Sequence, residues 1–327
     1  MSGVPDTLTE ALRARRLQYL FWEDRHRHFV GLAIGALTEA GIRSVVLKGT
    51  ACAYSVYGSP SERVRGDTDI LVASNDRVRA GEILKTLGFR RGLTFARERG
   101  SSQVTYAKEE GLGWSHAIDL HWQINNSAFL SRLFSWDELC ERSVPLASLC
   151  EAARSTAPVD GLLISCFHRL VHLGSPYTVN GIAHYSADRL IWLSDIDLLS
   201  QALSASDWEE LYARARDKGL ISACLSGINA ARAAFGTEVP HNVLERLAEA
   251  AEVSTVDIYL YGKPLTRLRL DTGAQSGLWG KIAFIGEHVF PPADYMHAQF
   301  GGGWLPALYF GRGIRGISKL LSRRSQS

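Results

Sequence analysis

Apolar positions recur at helical spacing between residues 7 and 41, through Leu17, Leu20, Phe21, Phe29, Leu32, Ile34, Ala36 and Leu37, and Gly41 ends the run. Thr7 or Thr9 can cap this helix, with Glu10 in its first turn. The spacing then shortens. Ile42 to Leu47 is a β-branched run that predicts a strand, followed by a Gly49-Thr50 turn and a helix over 51–57. Gly58-Ser59-Pro60-Ser61 marks a loop, and Asp67 to Val72 a second strand. An amphipathic stretch over 76–87 stops at Gly88, a helix-ending residue. Two weak strand runs follow between Phe89 and Tyr106, then a turn at Gly111-Leu112-Gly113. Ser115 to Trp122 alternates, with Ala117, Asp119 and His121 on one face and Ile118 and Leu120 on the other.

From Val159 onward the period is helical, with helices predicted over 162–173, 187–203, 208–218, 221–235 and 243–252. Residues 278–322 are rich in Gly, Pro and aromatics and end in a basic amphipathic helix. The order predicts an α+β domain with a mixed sheet over residues 1–150, followed by a mainly helical domain over 151–327. The boundary is expected between Pro145 and Pro158.

Composition narrows the function classes. Of 327 residues, 36 are Lys or Arg and 34 Asp or Glu, and this balance gives no general footprint for nucleic acid or a membrane. The exception is the cluster Arg312, Arg315, Lys319, Arg323 and Arg324, which reads as a solvated helix face or a seat for an anionic acceptor. The five cysteines are scattered, without CxxC or zinc spacing, so reduced, mostly buried thiols in a cytoplasmic protein are expected. The first residues are polar and mixed in charge, and no apolar run reaches the roughly 20 residues of a membrane span, so no membrane partner is expected.

The candidate chemistry lies around the first two strands. Asp67 and Asp69 are one residue apart in an extended run, so they share a face at a strand edge. Like charges that close raise each other's proton affinity, and a hard cation such as Mg²⁺ relieves the repulsion. Asp119 supplies a third carboxylate from another strand. Three such groups can hold two divalent ions, one activating the attacking oxygen and one clamping the leaving phosphate. Gly49 and Thr50, at the start of a helix, offer N–H groups and a hydroxyl to a β/γ-phosphate. These are together the minimum requirements for metal-assisted nucleotidyl transfer.

Lys48-Gly49-Thr50, Arg63…Asp67-Thr68-Asp69-Ile70-Leu71-Val72 and Ile118-Asp119-Leu120-His121-Trp122 resemble the "LKG", "R…GDxDxLV" and "DLHW" motifs of a bacterial uncharacterised nucleotidyltransferase family of the DNA polymerase β-like superfamily. The resemblance extends into the helical half through His168, His172, Trp192…Asp195, Asp207-Trp208 and Phe235-Gly236…Val239-Pro240. It implies a polymerase β-like core in which Asp67, Asp69 and Asp119 bind Mg²⁺, with two ions expected and Mn²⁺ an alternative. Gly49 and Thr50 match the phosphate-binding turn, where many superfamily members have Gly-Ser. The implied activity moves an NMP from an NTP to a hydroxyl or amine and releases pyrophosphate. The acceptor is unidentified, with a small molecule or peptide favoured over nucleic acid. Two alternatives stand beside it: a catalytically inactive relative that binds nucleotide or a partner, and a toxin-like nucleotidyltransferase acting on RNA or protein.

Other residues have two readings. Lys48 contacts phosphate or pairs with a neighbouring carboxylate. Arg63, four residues before Asp67, is positioned to clamp a triphosphate bidentately. Arg65 reads as a solvated loop arginine. His121 reads as a structural histidine and Trp122 as core. His168 and His172 stand at i and i+4, the spacing of a zinc pair, but no third ligand is evident, and packing against the catalytic domain is expected. Asp195 and Asp197 lie two apart in a helix and so face different directions.

Overall fold

The computed structural model describes residues 6–92, 102–173, 177–179, 182–184, 188–291 and 293–322. Its centre is a seven-stranded mixed sheet of order β3-β4-β5-β2-β1-β7-β6. The strands are β1 (Ser44–Leu47), β2 (Asp67–Val72), β3 (Arg90–Arg91), β4 (Gln103–Glu110), β5 (Trp114–His121), β6 (Val144–Pro145) and β7 (Arg154–Ser155). A two-stranded pair, β8 (Tyr177–Val179) with β9 (Ile182–His184), stands apart.

The sequence pattern explains which side each helix covers. Val46, Ile70, Val72, Ile118 and Leu120 point to one face, where they meet α1 (Asp6–Glu39) and α3 (Arg77–Thr86). Val45, Leu47 and Leu71 point to the other, and there the cluster runs on without a break into α5 (Pro158–Leu173), α6 (Leu190–Gln201), α7 (Ala205–Asp217) and α8 (Ile221–Phe235). The expected helix over 51–57 begins earlier, because α2 (Lys48–Ser55) starts directly at the end of β1. The stretch between Pro145 and Pro158 contains β7, which pairs with β1 in parallel and extends the sheet. One hydrophobic cluster therefore joins the sheet to the helical half across that segment. Of the stretch of weak strand runs expected between Phe89 and Tyr106, residues 93–101 lie outside the described residues.

Short elements escaped the periodicity. They include α4 (Trp136–Arg142), whose N-cap Ser135 accepts from the Glu138 N–H. Beyond α9 (His241–Glu249), the chain forms α10 (Thr255–Tyr261), α11 (Pro264–Gly273), α12 (Gly277–Val289), α13 (Ala293–Phe300) and α14 (Leu305–Ser322). Residues 278–322 thus hold three helices where one was expected; Arg323 and Arg324 lie outside the described residues. Among the described residues, no helix is long and apolar enough to cross a membrane. All five cysteines are free, four of them buried.

Packing of the helical half depends on a close approach at Gly227 in α8. A Cβ there would stand 2.7 Å from Cys166 Sγ and 3.2 Å from Ile196 Cδ1, on α5 and α6. Gly35 in α1 has nothing within 4 Å of its missing Cβ. Gly227→Val is expected to destabilise the protein by about 2 kcal/mol through overpacking. Gly35→Ala should stabilise it by about 0.5–1 kcal/mol through helix propensity. Chemical denaturation of the two variants checks both signs.

Candidate active site

The parallel register of β2 and β5 brings the acidic residues together. Asp69 is the Cα partner of Asp119, and Leu71 that of His121. Partners across a sheet share a face, and so do residues two apart along a strand. Asp67, Asp69, Asp119 and His121 therefore point to the same side, that of Leu47, the β1 partner of Asp69. One ligand atom each from Asp69, Asp119 and His121 lies within 4.8 Å of the others. This is the donor set that the structure assembles. Asp67 stands beside it, at the first position of β2.

Each carboxylate is held differently. Asp69 Oδ1 accepts from Lys48 Nζ at 2.8 Å and lies 2.7 Å from His121 Nε2. Burial works to raise the Asp69 carboxyl, but Lys48 and the His121 hydrogen bond outweigh it and hold it well below the usual carboxylate range. Asp119 Oδ1 accepts from the Thr105 hydroxyl at 2.6 Å and Oδ2 from Gln103 Nε2 at 3.3 Å. Asp67 has no such support. Burial, then Asp69 and Asp119, push its carboxyl up to about 6. A carboxyl raised by two carboxylate neighbours is what a bound cation would relieve, and hard oxygen donors with one imidazole suit a divalent ion. The residues present fit such an ion.

The neighbouring turn is built on a strained residue. Lys48 has φ of +51°, the left-handed region that side chains other than glycine's disfavour by about 1–2 kcal/mol. That conformation turns the chain sharply from β1 into α2 and sets the ammonium on Asp69. No side chain caps the N-terminus of α2. Its first-turn N–H groups and dipole thus face the carboxylate side with the character of an anion seat.

Arg63 and Thr50 are engaged within the protein. Arg63 Nε and Nη2 donate to Asp195 Oδ1 and Oδ2, both at 2.7 Å, with side chains only 8% and 7% exposed. Tyr57 also donates to Asp195 Oδ1, at 2.9 Å. Gly49 makes room for this pair, since a Cβ there would lie 3.3 Å from Arg63 Nη2. The Thr50 hydroxyl is buried, accepts from Arg65 Nε at 2.9 Å and meets the Thr68 hydroxyl at 2.9 Å. Arg65 is no solvated loop arginine. Its side chain is 3% exposed and donates to Glu23 Oε1 at 2.7 Å, and Glu23 also accepts from Tyr54. His26 Nε2 meets Thr68 at 2.8 Å, and burial, then Arg65, lower the proton affinity of its ring. Helix α1 thereby holds the back of the strand that carries the acids.

On the front, His168 and His172 of α5 pack edge to face at 4.4 Å, and both rings meet Trp192. A small cavity bounded by Lys48, Gly49, Arg63, His168 and Trp192 joins this cluster to the turn. Asp195 points to Arg63, while Asp197 Oδ1 is buried without a hydrogen-bond partner. The sequence reading left out His121 as a member of the donor set and Asp195 as the partner of Arg63. The placement of His121 two residues after Asp119 is the one signal that could have found it.

A family model described as "Uncharacterised nucleotidyltransferase" matches residues 1–236. A search of curated proteins finds no match. Two solved structures align at low identity. One is a solution structure of the antibiotic-resistance factor ANT(2'')-Ia, with 15% identity and a TM-score of 0.39 over 60% of this chain and 93% of that one. The other is an antigenic nucleotidyltransferase-like protein from Paracoccidioides brasiliensis, with 12% identity and a TM-score of 0.41 over 68% of this chain and 96% of that one.

Two outcomes follow from the electrostatics. An unfolded Asp ionises near pH ~3.9, whereas folded Asp67 does so at about 6. Below about pH 4 both states are protonated and the folded state keeps its full stability. As pH rises through about 6, Asp67 must ionise against burial and its neighbours, and metal-free stability is lost. Asp67→Asn removes that loss. In the presence of a chelator the variant should melt above wild type at about pH 8, with the gap closing by about pH 4. The second outcome concerns the buried pair. Asp195→Ala leaves Arg63 charged and unpaired and should cost about 3–5 kcal/mol, whereas Arg63→Met with Asp195→Leu should cost much less. Denaturant titration of the three proteins measures both values.

Proposed function

We propose that this chain, which belongs to the uncharacterised nucleotidyltransferase family, is a metal-dependent enzyme that moves an NMP from an NTP to an acceptor hydroxyl or amine. The observation that carries this reading is the convergence of Asp69, Asp119 and His121 within 4.8 Å beside the uncapped N-terminus of α2. Asp69, Asp119 and His121 would hold a divalent cation, with Asp67 adjoining, and Mg²⁺ suits the carboxylates. When bound, the cation neutralises triphosphate charge and polarises the phosphorus under attack.

The remaining roles belong to the chain's own residues. The α2 N–H groups at Gly49 and Thr50 receive the triphosphate, and Lys48 Nζ moves from Asp69 Oδ1 to a phosphate oxygen as the ammonium's counter-charge changes. Arg63 acts through Asp195 and Gly49, fixing the turn rather than clamping phosphate. The acceptor's oxygen or nitrogen bonds to the α-phosphorus, and the bond from that phosphorus to the pyrophosphate oxygen breaks. Asp119 Oδ2, whose contact with Gln103 is the longer of its two, takes the acceptor's proton. The helical half, with His168, His172 and Trp192 facing the turn, forms the acceptor side. A small molecule or peptide fits the near-neutral charge better than a long nucleic acid.

Incubation with Mg²⁺ or Mn²⁺ and each labelled NTP tests the reading. Wild type should retain nucleotide in a metal-dependent way and release pyrophosphate when given an acceptor. Asp67→Asn with Asp69→Asn should lower both by about a hundredfold or more. No nucleotide retention by wild type with either metal would refute the assignment.

A further inference from the structure

A pocket of about 280 Å³ lies beyond the end of β5, and the residues assigned so far do not line it. The loop after β5 contributes Asn125 and Asn126 to it, and α10 and α11 contribute Tyr259, Arg267 and Asp271. The third side is Val171 of α5, the residue before His172. Leu130 and Leu260 line it too, and both belong to the hydrophobic cluster that holds Leu47 and Leu71. The pocket is therefore on the face of the sheet that carries the acids. Helices α10 and α11 lie past residue 236, where the family match ends, so family membership does not specify this wall.

One buried carboxylate fixes the two walls to each other. Asp271 Oδ1 accepts from the Ser127 hydroxyl at 2.6 Å and the Phe129 N–H at 3.0 Å, and Oδ2 accepts from the Tyr259 hydroxyl at 2.8 Å. Tyr259 also stacks on Phe129, with ring centroids 5.6 Å apart. Three donors thus satisfy Asp271 inside the wall. The guanidinium of Arg267 is anchored as well, with Nε donating to the Tyr259 carbonyl at 3.0 Å and Nη2 to the Leu260 carbonyl. Asn125 Oδ1 accepts from the Ser127 N–H and Asn126 Oδ1 from the Ser102 N–H, both at 2.8 Å. What remains is of one kind. Among the described residues, no acceptor meets Nδ2 of Asn125, Nδ2 of Asn126 or Nη1 of Arg267. Each is a donor only, on a side chain whose other polar atoms already hold it in place.

We propose that this pocket binds the carboxylate or phosphate group of a small acceptor and so selects the molecule that the enzyme modifies. Donors without acceptors call for an oxyanion, and a guanidinium beside amide N–H groups is the usual partner of one. Because these side chains are already anchored, binding costs little further ordering. The volume falls just under the ~300–1,000 Å³ of sites for drug-sized ligands, which suits a small metabolite. Asn125 follows His121 by four residues, so the two backbones are at most about 14 Å apart. His121 Nδ1 lies 3.3 Å from the Gln123 carbonyl, which keeps the start of the loop against the acids. An acceptor held by its oxyanion presents a hydroxyl or amine at its other end. That group bonds to the α-phosphorus, its proton passes to Asp119, and pyrophosphate leaves. This role rests on the nucleotidyl-transfer reading above, whereas oxyanion binding in the pocket does not.

Calorimetric titration of the full chain with inorganic phosphate, and separately with succinate, tests the pocket at fixed ionic strength. Each titration is run with and without Mg²⁺ and an NTP. Saturable binding of at least one probe is expected, and it should persist when the NTP is present. The stronger probe tells a phosphate site from a carboxylate site. Asn125→Asp with Asn126→Asp keeps an oxygen for each backbone N–H, so the fold stands, and puts negative charge where two donors were. This pair should weaken binding at least about tenfold with the melting temperature unchanged, and Arg267→Gln should weaken it to a similar degree. Binding of neither probe by wild type would overturn the proposal, as would binding that both variants keep. Binding that the NTP displaces would overturn it too, by moving the oxyanion to the α2 turn. Oxyanion binding that the variants lose, in a chain that retains no NTP with Mg²⁺ or Mn²⁺, would uphold the pocket and refute the transfer that its acceptor role serves.

Discussion

Carboxylates that face one another repel, and this repulsion is the constraint around which the protein is arranged. Asp69 and Asp119 are brought opposite each other by parallel strand pairing, with Asp67 alongside. The repulsion is partly offset at Asp69, where Lys48 and His121 share a single oxygen. It is left standing at Asp67, whose carboxyl stays high as a result. The site thus holds one acid satisfied by neighbours and one left unsatisfied. The positive charge that offsets the repulsion at Asp69 is the ammonium of Lys48, and a strained backbone sets it in place.

The turn that carries Lys48 is held from both sides of the sheet. From behind, α1 supplies Glu23 and His26, which reach Thr50 and Thr68 through Arg65 and directly. From the front, α6 supplies Asp195 to Arg63, whose guanidinium lies over Gly49. The small residue in the turn thus makes room for an internal ion pair. Because that ion pair links the turn to the helical half, and one hydrophobic cluster spans both, the geometry of the acid-bearing strands depends on helices far away in sequence. A chain cut at the apparent boundary near Pro145 would lose β7 from the sheet and Asp195 from Arg63.

The positions of the acids were legible in the sequence because strand alternation is local: Asp67, Asp69, Asp119 and His121 all take the face that a period of two assigns them. The α+β order was legible for the same reason, as the long helices and the β-branched runs each carry their own period. What could not be read were partners chosen by tertiary contact. Arg63 meets Asp195 across 132 positions, and Arg65 meets Glu23 across 42, so no spacing rule connects them. Arg63 therefore looked like a phosphate clamp and Arg65 like a solvated loop residue. Strands of two residues such as β6 and β7 have no period to detect, and the pairing of β7 with β1 and of β6 with β7 follows from the sheet, not from their composition.

The parallel pairing of β2 with β5 also sets when the site can exist. His121 and Asp69 are 52 positions apart, and parallel neighbours cannot be joined by a simple hairpin. Closing so long a loop precedes any reward from the contact, so this pairing belongs to the slow, late part of folding. The emerging chain therefore carries β2 with its two acids well before β5 can complete the constellation. An ion that needs all the donors recognises the finished fold alone. Its presence would act on the cell's pool of this protein as a selective brake on unfolding, felt most by the strand pair that forms last.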